Sequence, residues 1–207
     1  RASLATAPSR TARAEAAVLL ARASSAQGDL AGVKNAARIG FEAAAGTPDA
    51  TGVVLLGTVG LALTSGQREL ALLGLERAGS TEVSDSDLLY AVLWTNALFR
   101  AEGRQPPPLA RELLARVRPT EPWEILLKSH ASGELDATAL LPRARSEAQR
   151  VEARFYAALE QTSRDADAAK GALASVAKSP VVGLLEVGLA RRLSAPALGY
   201  APSGRPR

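Results

Sequence analysis

"TSGQRELALLGLERAGSTE", residues 64–82, sets a glycine turn between two apolar stretches. Counted from Gly66, Ala71 lies at +5 and Ala78 at +12. Seven residues make two turns of an α-helix, so both alanines fall on one side of the helix after the turn. A side built of small residues lets another backbone approach closely. The stretch therefore predicts a helix–turn–helix unit whose second helix nests against the first helix of its own pair and of the next.

The same arrangement recurs along the chain. Turn glycines stand at Gly28, Gly66, Gly103 and Gly133, at intervals of 38, 37 and 30 residues, and a further turn, "TSRDAD", centres near Arg164. At +5 and +12 the chain has Val33 and Gly40 after the first turn, Pro108 and Ala115 after the third, and Ala169 and Val176 after the last. A period in the thirties made of paired helices predicts a solenoid, because one pair alone cannot bury its apolar faces.

Local signals divide the chain into helices. "TARAEAAVLLARASSAQG" from Thr11 and "DLAGVKNAARIGFEAAAG" to Gly46 read as the first pair. Thr47 as N-cap and Pro48 at the first helical position open a third helix over 48–65, with a fourth over 67–79. Ser84 with Asp87 three residues on resembles a capping box and opens "DLLYAVLWTNALFRAEG". A proline-led helix over about 107–117 follows. Thr120 is expected to cap "EPWEILLKSHASG", and a short segment follows near 135–142. "RSEAQRVEARFYAALEQ" and "DADAAKGALASVAK" form the next pair, and Ser179-Pro180 is expected to open a last helix to Leu193. No stretch alternates with a strand period.

Two segments, "SGQRELALLGLERAG" (65–79) and "EARFYAALEQTSRDADAAKGALASVAKSP" (152–180), carry a resemblance to the tetratricopeptide-repeat (TPR) family. Segment 152–180 resembles an aromatic-bearing first helix, a turn, an Ala-rich second helix and a Pro start to a capping helix. The family's early Trp, Leu-Gly pair and Tyr are mostly missing from the first helices here. The resemblance implies an all-α, right-handed solenoid of stacked antiparallel helix pairs, about five pairs plus a capping helix, over 11–194. Residues 1–10 would be an extended lead-in and 195–207 a Pro/Gly/Arg-rich tail.

Composition fits helix and excludes several chemistries. Hydrophobic residues make up 47% of 207, aromatics only 4%. Ala and Leu dominate, and they lose little on entering a helix. Without cysteine there are no disulfides, thiolate nucleophiles or Cys-based zinc sites. His130 is the only histidine, so no HExxH pair exists, and its place near a helix end reads as a cation facing the helix dipole. "GTVG" (57–60) lacks the Lys-Ser/Thr of a phosphate loop, and no GxSxG elbow is present. Asp85/Asp87, Glu121/Glu124 and Asp165/Asp167 lie at helix starts, where carboxylates serve the dipole. Nothing in the pattern points to two buried, opposed carboxylates.

Net charge is +4, from 25 basic and 21 acidic residues with signs interspersed. A nucleic-acid binder would show a basic stripe with exposed aromatics, which is missing. The densest basic run, Arg143, Arg145, Arg150 and Arg154, reads as a solvated helix face. The apolar runs 53–63 and 181–193 fall short of the ~20 residues of a spanning helix. A chain that begins at Arg1 and has no Met is read as a processed product, which, with the missing cysteine, favours a bacterial cell envelope over cytoplasm.

These readings converge on a non-enzymatic protein–protein interaction scaffold or assembly subunit with no cofactor and no metal. The resemblance implies that a partner binds a concave face lined by the first helices. Counting back from each turn, that face includes Tyr90, Leu93, Ala97 and Arg100, then Trp123 and His130, then Arg154 and Gln161. Large aromatics and Arg are the usual binding anchors; the alternative is that Tyr90, Trp94 and Trp123 fill the core. Another reading is an accessory helical domain of a cell-wall or other enzyme, which buried paired carboxylates in a deep cleft would favour. A third is a nucleic-acid-binding helical repeat, marked by steep salt dependence.

Overall fold

The computed structural model describes residues 9–195. The lead-in before Ser9 and the tail from residue 196 lie outside the described residues. Among the described residues ten α-helices follow one another: α1 (Arg10–Ala26), α2 (Leu30–Ala44), α3 (Pro48–Ser65), α4 (Arg68–Ser80), α5 (Asp85–Ala101), α6 (Pro108–Arg116), α7 (Pro122–Ser132), α8 (Glu147–Gln161), α9 (Ala166–Ala177) and α10 (Leu185–Ser194). Two single-turn 3-10 helices, Ala137–Ala139 and Leu141–Arg143, stand between α7 and α8. Among the described residues there is no strand.

The expected turn glycines are turns. Gly28, Gly66, Gly103 and Gly133 all take positive φ, between 70° and 87°, a region that a Cβ makes costly. With Pro48 at its first position and Gly66 closing it, α3 has the limits the sequence implied. Several start signals are corrected. Thr47 precedes α3 without a side-chain cap bond. Ser84 Oγ accepts from the Asp87 N–H at 3.0 Å, but the Asp87 carboxylate bonds the Ser84 hydroxyl and not its backbone, so only half a capping box forms. Thr120 caps nothing; α7 starts after Glu121 with Pro122 at its first turn. Ser179-Pro180 does not open the last helix. The Ser179 hydroxyl instead accepts from the Val181 N–H, the chain turns at Gly183 (φ 84°), and α10 begins at Leu185. The complete capping box lies elsewhere, between Ser146 and Gln149 at the start of α8.

Packing is sequential and alternating. The first helices touch in the order α1–α3–α5–α7, with α8 also against α5, and the second helices in the order α2–α4–α6. Gly40 on α2 shows how close this is: a Cβ there would come 3.0 Å from Val54 of α3 and 3.2 Å from Ala17 of α1. That is the nesting expected at +12, and Ala71, Ala78, Ala169 and Val176 are buried at the corresponding positions. The expected third pair departs from it. In α6, nine residues long, Pro108 and Ala115 are exposed and Ala110, Leu113 and Leu114 take the buried side. Where the sequence predicts a fourth pair, two 3-10 turns stand in place of a second helix.

Helix α3 is the hub, in contact with α1, α2, α4, α5 and α10. It is long and apolar enough to cross a membrane by length and composition, but 61% of it is buried among these neighbours. The last helix does not simply extend the row: α10 packs on α9 and α8 and returns to α3.

Candidate functional site

The return of α10 makes a cleft. One wall is α1, α3 and the start of α5; the other is α10 and the turn before it. Glycines on α3 set its depth. A Cβ on Gly57 would come 2.7 Å from Val18 of α1, and one on Gly60 would come 3.2 Å from Leu189 of α10 and 3.5 Å from the Trp94 ring of α5. Side chains larger than hydrogen at these points would push the walls apart. The cleft holds about 530 Å³, within the usual size of a ligand-binding cavity. Val53, Leu56, Leu184, Leu185 and Trp94 line it, with Arg22, Asp49, Asp87 and Arg192 as its charged members. Val53 and Leu185 are exposed large apolar residues, and both face this cleft.

Behind the cleft lies a buried polar cluster. Glu152 on α8 is 3% exposed and Glu186 on α10 is 1% exposed. The Trp123 indole N–H donates to Glu152 Oε2 at 2.7 Å, and the Tyr156 hydroxyl donates to Glu186 Oε1 at 3.3 Å. Burial pushes Glu152 up to about 8, with the nearby Glu186 carboxylate adding to the shift. Burial likewise pushes Glu186 up to about 7. Both effects disfavour the charged form in a low-dielectric interior. Glu152 Oε1 and Trp94 Nε1 are buried without a hydrogen-bond partner. Neither acid lines the cleft, nor the second surface cavity of about 690 Å³ beside Trp123, Arg143 and Arg145. This pair of buried carboxylates runs against the sequence-based expectation. The available signal was helical phase: Glu152 stands four residues before Tyr156 and seven before Leu159 on a buried face.

The residues expected on the binding face separate into groups. Tyr90 is half-buried and tilted against Trp94 at 6.2 Å between centroids, with burial and then the Glu152 charge raising its pKa, and buried Trp123 donates to Glu152. Leu93 is buried and, with half-buried Ala97 and Arg100, borders a narrow gap beside His130 and Tyr156. Arg100 reaches across to α7, where its guanidinium and the Asn96 amide both donate to the Ala131 carbonyl. Arg154 is exposed and 3.8 Å from Glu147, on a different part of the surface. Gln161, half-buried, ends α8. None of these seven lines the α1–α3–α10 cleft; Trp94 is the aromatic from α5 that does.

His130 is not the helix-end cation expected. Its ring is buried against Tyr156, and Nδ1 donates to the Leu135 carbonyl at 3.0 Å. Burial holds its pKa below the ordinary value, partly offset by that carbonyl and by Glu160, so the ring is neutral at pH 7. Among the described residues no group of three His, Cys, Asp or Glu side chains gathers as a metal site.

Comparison of the chain with protein-family models, curated proteins and solved structures finds no match.

Proposed function

We propose that this chain is a non-enzymatic interaction scaffold, built as a TPR-like α-solenoid, that holds an extended segment of a partner protein in the cleft between α1, α3, α5 and α10. The carrying observation is the cleft itself: about 530 Å³ of mainly apolar lining that leaves Val53 and Leu185 exposed on opposite walls. Exposed apolar residues that converge on one concavity mark interaction sites more often than scattered ones do. Alternating contact of first helices with first helices supports the solenoid reading. In this reading α10 is a capping helix that also forms the outer wall of the binding surface.

The buried acids are a feature an accessory domain of an enzyme would share, but their place behind the cleft favours a structural role. A general acid must reach the proton it transfers, and Glu152 and Glu186 face the packing between α5, α7, α8 and α10.

The test is capture of partners from native cells with the parent chain and with Val53→Glu/Leu185→Glu. Both positions are exposed, so the variant keeps its helical circular dichroism. A partner retained by the parent and lost by the variant is the expected result. A partner retained equally by both overturns the assignment of the cleft.

A further inference from the structure

The cleft carries opposite charges at its two ends, and α3 provides the ruler. Near one end, Asp87 of α5 lies directly over Gly52, and Asp49 stands one turn earlier on the same side of α3. Toward the other end, Val18 of α1 meets Gly57, and Arg22 is one turn beyond Val18. Leu189 of α10 meets Gly60, and Arg192 is three residues beyond Leu189. The eight residues from Gly52 to Gly60 rise about 12 Å. An acidic end and a basic end thus flank roughly 12 Å of apolar wall, too far apart to neutralise each other directly.

No acid among the described residues fills the basic end. Among the described residues neither Arg22 nor Arg192 forms an ion pair with a carboxylate. Arg22 and Arg192 line the same end of the cleft, and partial burial and the Arg22 charge both lower the Arg192 pKa. Two adjacent like charges gain from a shared anion. Asp49 is likewise exposed and outside every ion pair of the described residues.

We infer that the segment bound in the cleft is an extended peptide with a basic, an apolar and an acidic side chain at alternate positions. An extended chain rises about 3.3 Å per residue, so positions i and i+4 are about 13 Å apart and share a face with i+2. The basic side chain meets Asp49 and Asp87, the apolar one enters between Leu56 and Leu185, and the acidic one meets Arg22 and Arg192. The charges fix the spacing and leave either chain direction open. This inference rests on the scaffold reading above and adds the chemistry of the partner.

The experiment is an NMR titration of the full chain with capped pentapeptides, following the Trp94 indole signal, assigned as the one that survives in Trp123→Phe. The probes are Lys-Thr-Leu-Thr-Glu and its reverse, against Lys-Thr-Leu-Thr-Lys and Glu-Thr-Leu-Thr-Glu. At least one bipolar peptide binds about fivefold or more tighter than both uniform ones, the size expected for one or two partly exposed ion pairs. Arg22→Glu/Arg192→Glu reverses the order, so that the Lys-Lys peptide binds best. Equal affinity for all four, or an order unchanged in that variant, overturns the inference and leaves an apolar binding cleft standing. No shift with any peptide overturns it too; the scaffold reading then fails only if Val53→Glu/Leu185→Glu also retains the native partner.

Discussion

The indole N–H of Trp123 donates a 2.7 Å hydrogen bond to Oε2 of Glu152, joining α7 to α8 inside the protein. Glu152 in turn lies beside Glu186 of α10, which accepts from the Tyr156 hydroxyl. Two acids from α8 and α10 thus share one buried space, and the helix that walls the cleft is fastened through it. Their protonation bears on how firmly α10 is held.

That linkage has a definite sign. Glu152 at about 8 and Glu186 at about 7 keep their protons in the fold at pH values where the unfolded chain has released them. The stability they contribute is complete below the unfolded carboxylate range and is lost as pH rises through 7 and 8. The melting temperature should therefore fall by about 5 °C or more between pH 6.5 and 8.5. Glu152→Gln/Glu186→Gln, which mimics the protonated pair and still offers Trp123 an acceptor, should melt higher than the parent at pH 8.5 and show little slope. A parent with no slope, or a variant that falls in parallel, contradicts this.

His130 acts in the opposite sense at lower pH. Its folded pKa lies below the unfolded value near 6.5, so below that value the unfolded chain binds the proton more readily and stability is lost. His130→Asn keeps a donor for the Leu135 carbonyl but has nothing to titrate. Relative to the parent, its melting temperature should be lower at pH 7, from lost packing on Tyr156, and its decline from pH 6.5 to 5 should be smaller. Equal declines in the two proteins would show that the imidazole is not held neutral.

Two helical glycines should respond in opposite directions to alanine. Gly57 faces Val18, whose methyl carbons would lie 2.7 and 2.8 Å from a new Cβ, so Gly57→Ala should destabilise by about 1–3 kcal/mol through overpacking. Gly171, exposed within α9, has nothing within 4 Å of that position, so Gly171→Ala should stabilise by about 0.5–1 kcal/mol. Urea unfolding at pH 7 measures both. A stabilising Gly57→Ala would contradict the close approach of α1 to α3, and a destabilising Gly171→Ala would contradict the open space beside α9.

Much of the local order is legible in the sequence because it depends on single residues. Pro48 and Gly66 delimit α3 through their own φ, and the alanines after Gly66 mark the side that packs. Ser179-Pro180 misleads because Pro permits a helix start without requiring one; Gly183 at φ 84° interrupts the turn, and α10 begins after it. The cleft is hidden for a different reason. Val53 and Leu185 are 132 positions apart, and only the return of α10 to α3 brings them to one cavity. Tyr90 and Trp123 have the chemistry of surface anchors, yet Tyr90 packs against Trp94 and Trp123 bonds Glu152, an acid buried inside the helix packing.

Site-specific photo-crosslinking in native cells tests the central claim most directly. A photoreactive residue at Val53, in the cleft, is compared with one at Ile39, exposed on α2 away from it. The expected result is a discrete adduct from Val53, none from Ile39, and loss of the Val53 adduct when Leu185→Glu is introduced. An adduct from Ile39 alone, or a Val53 adduct indifferent to Leu185→Glu, would contradict a partner held in the cleft.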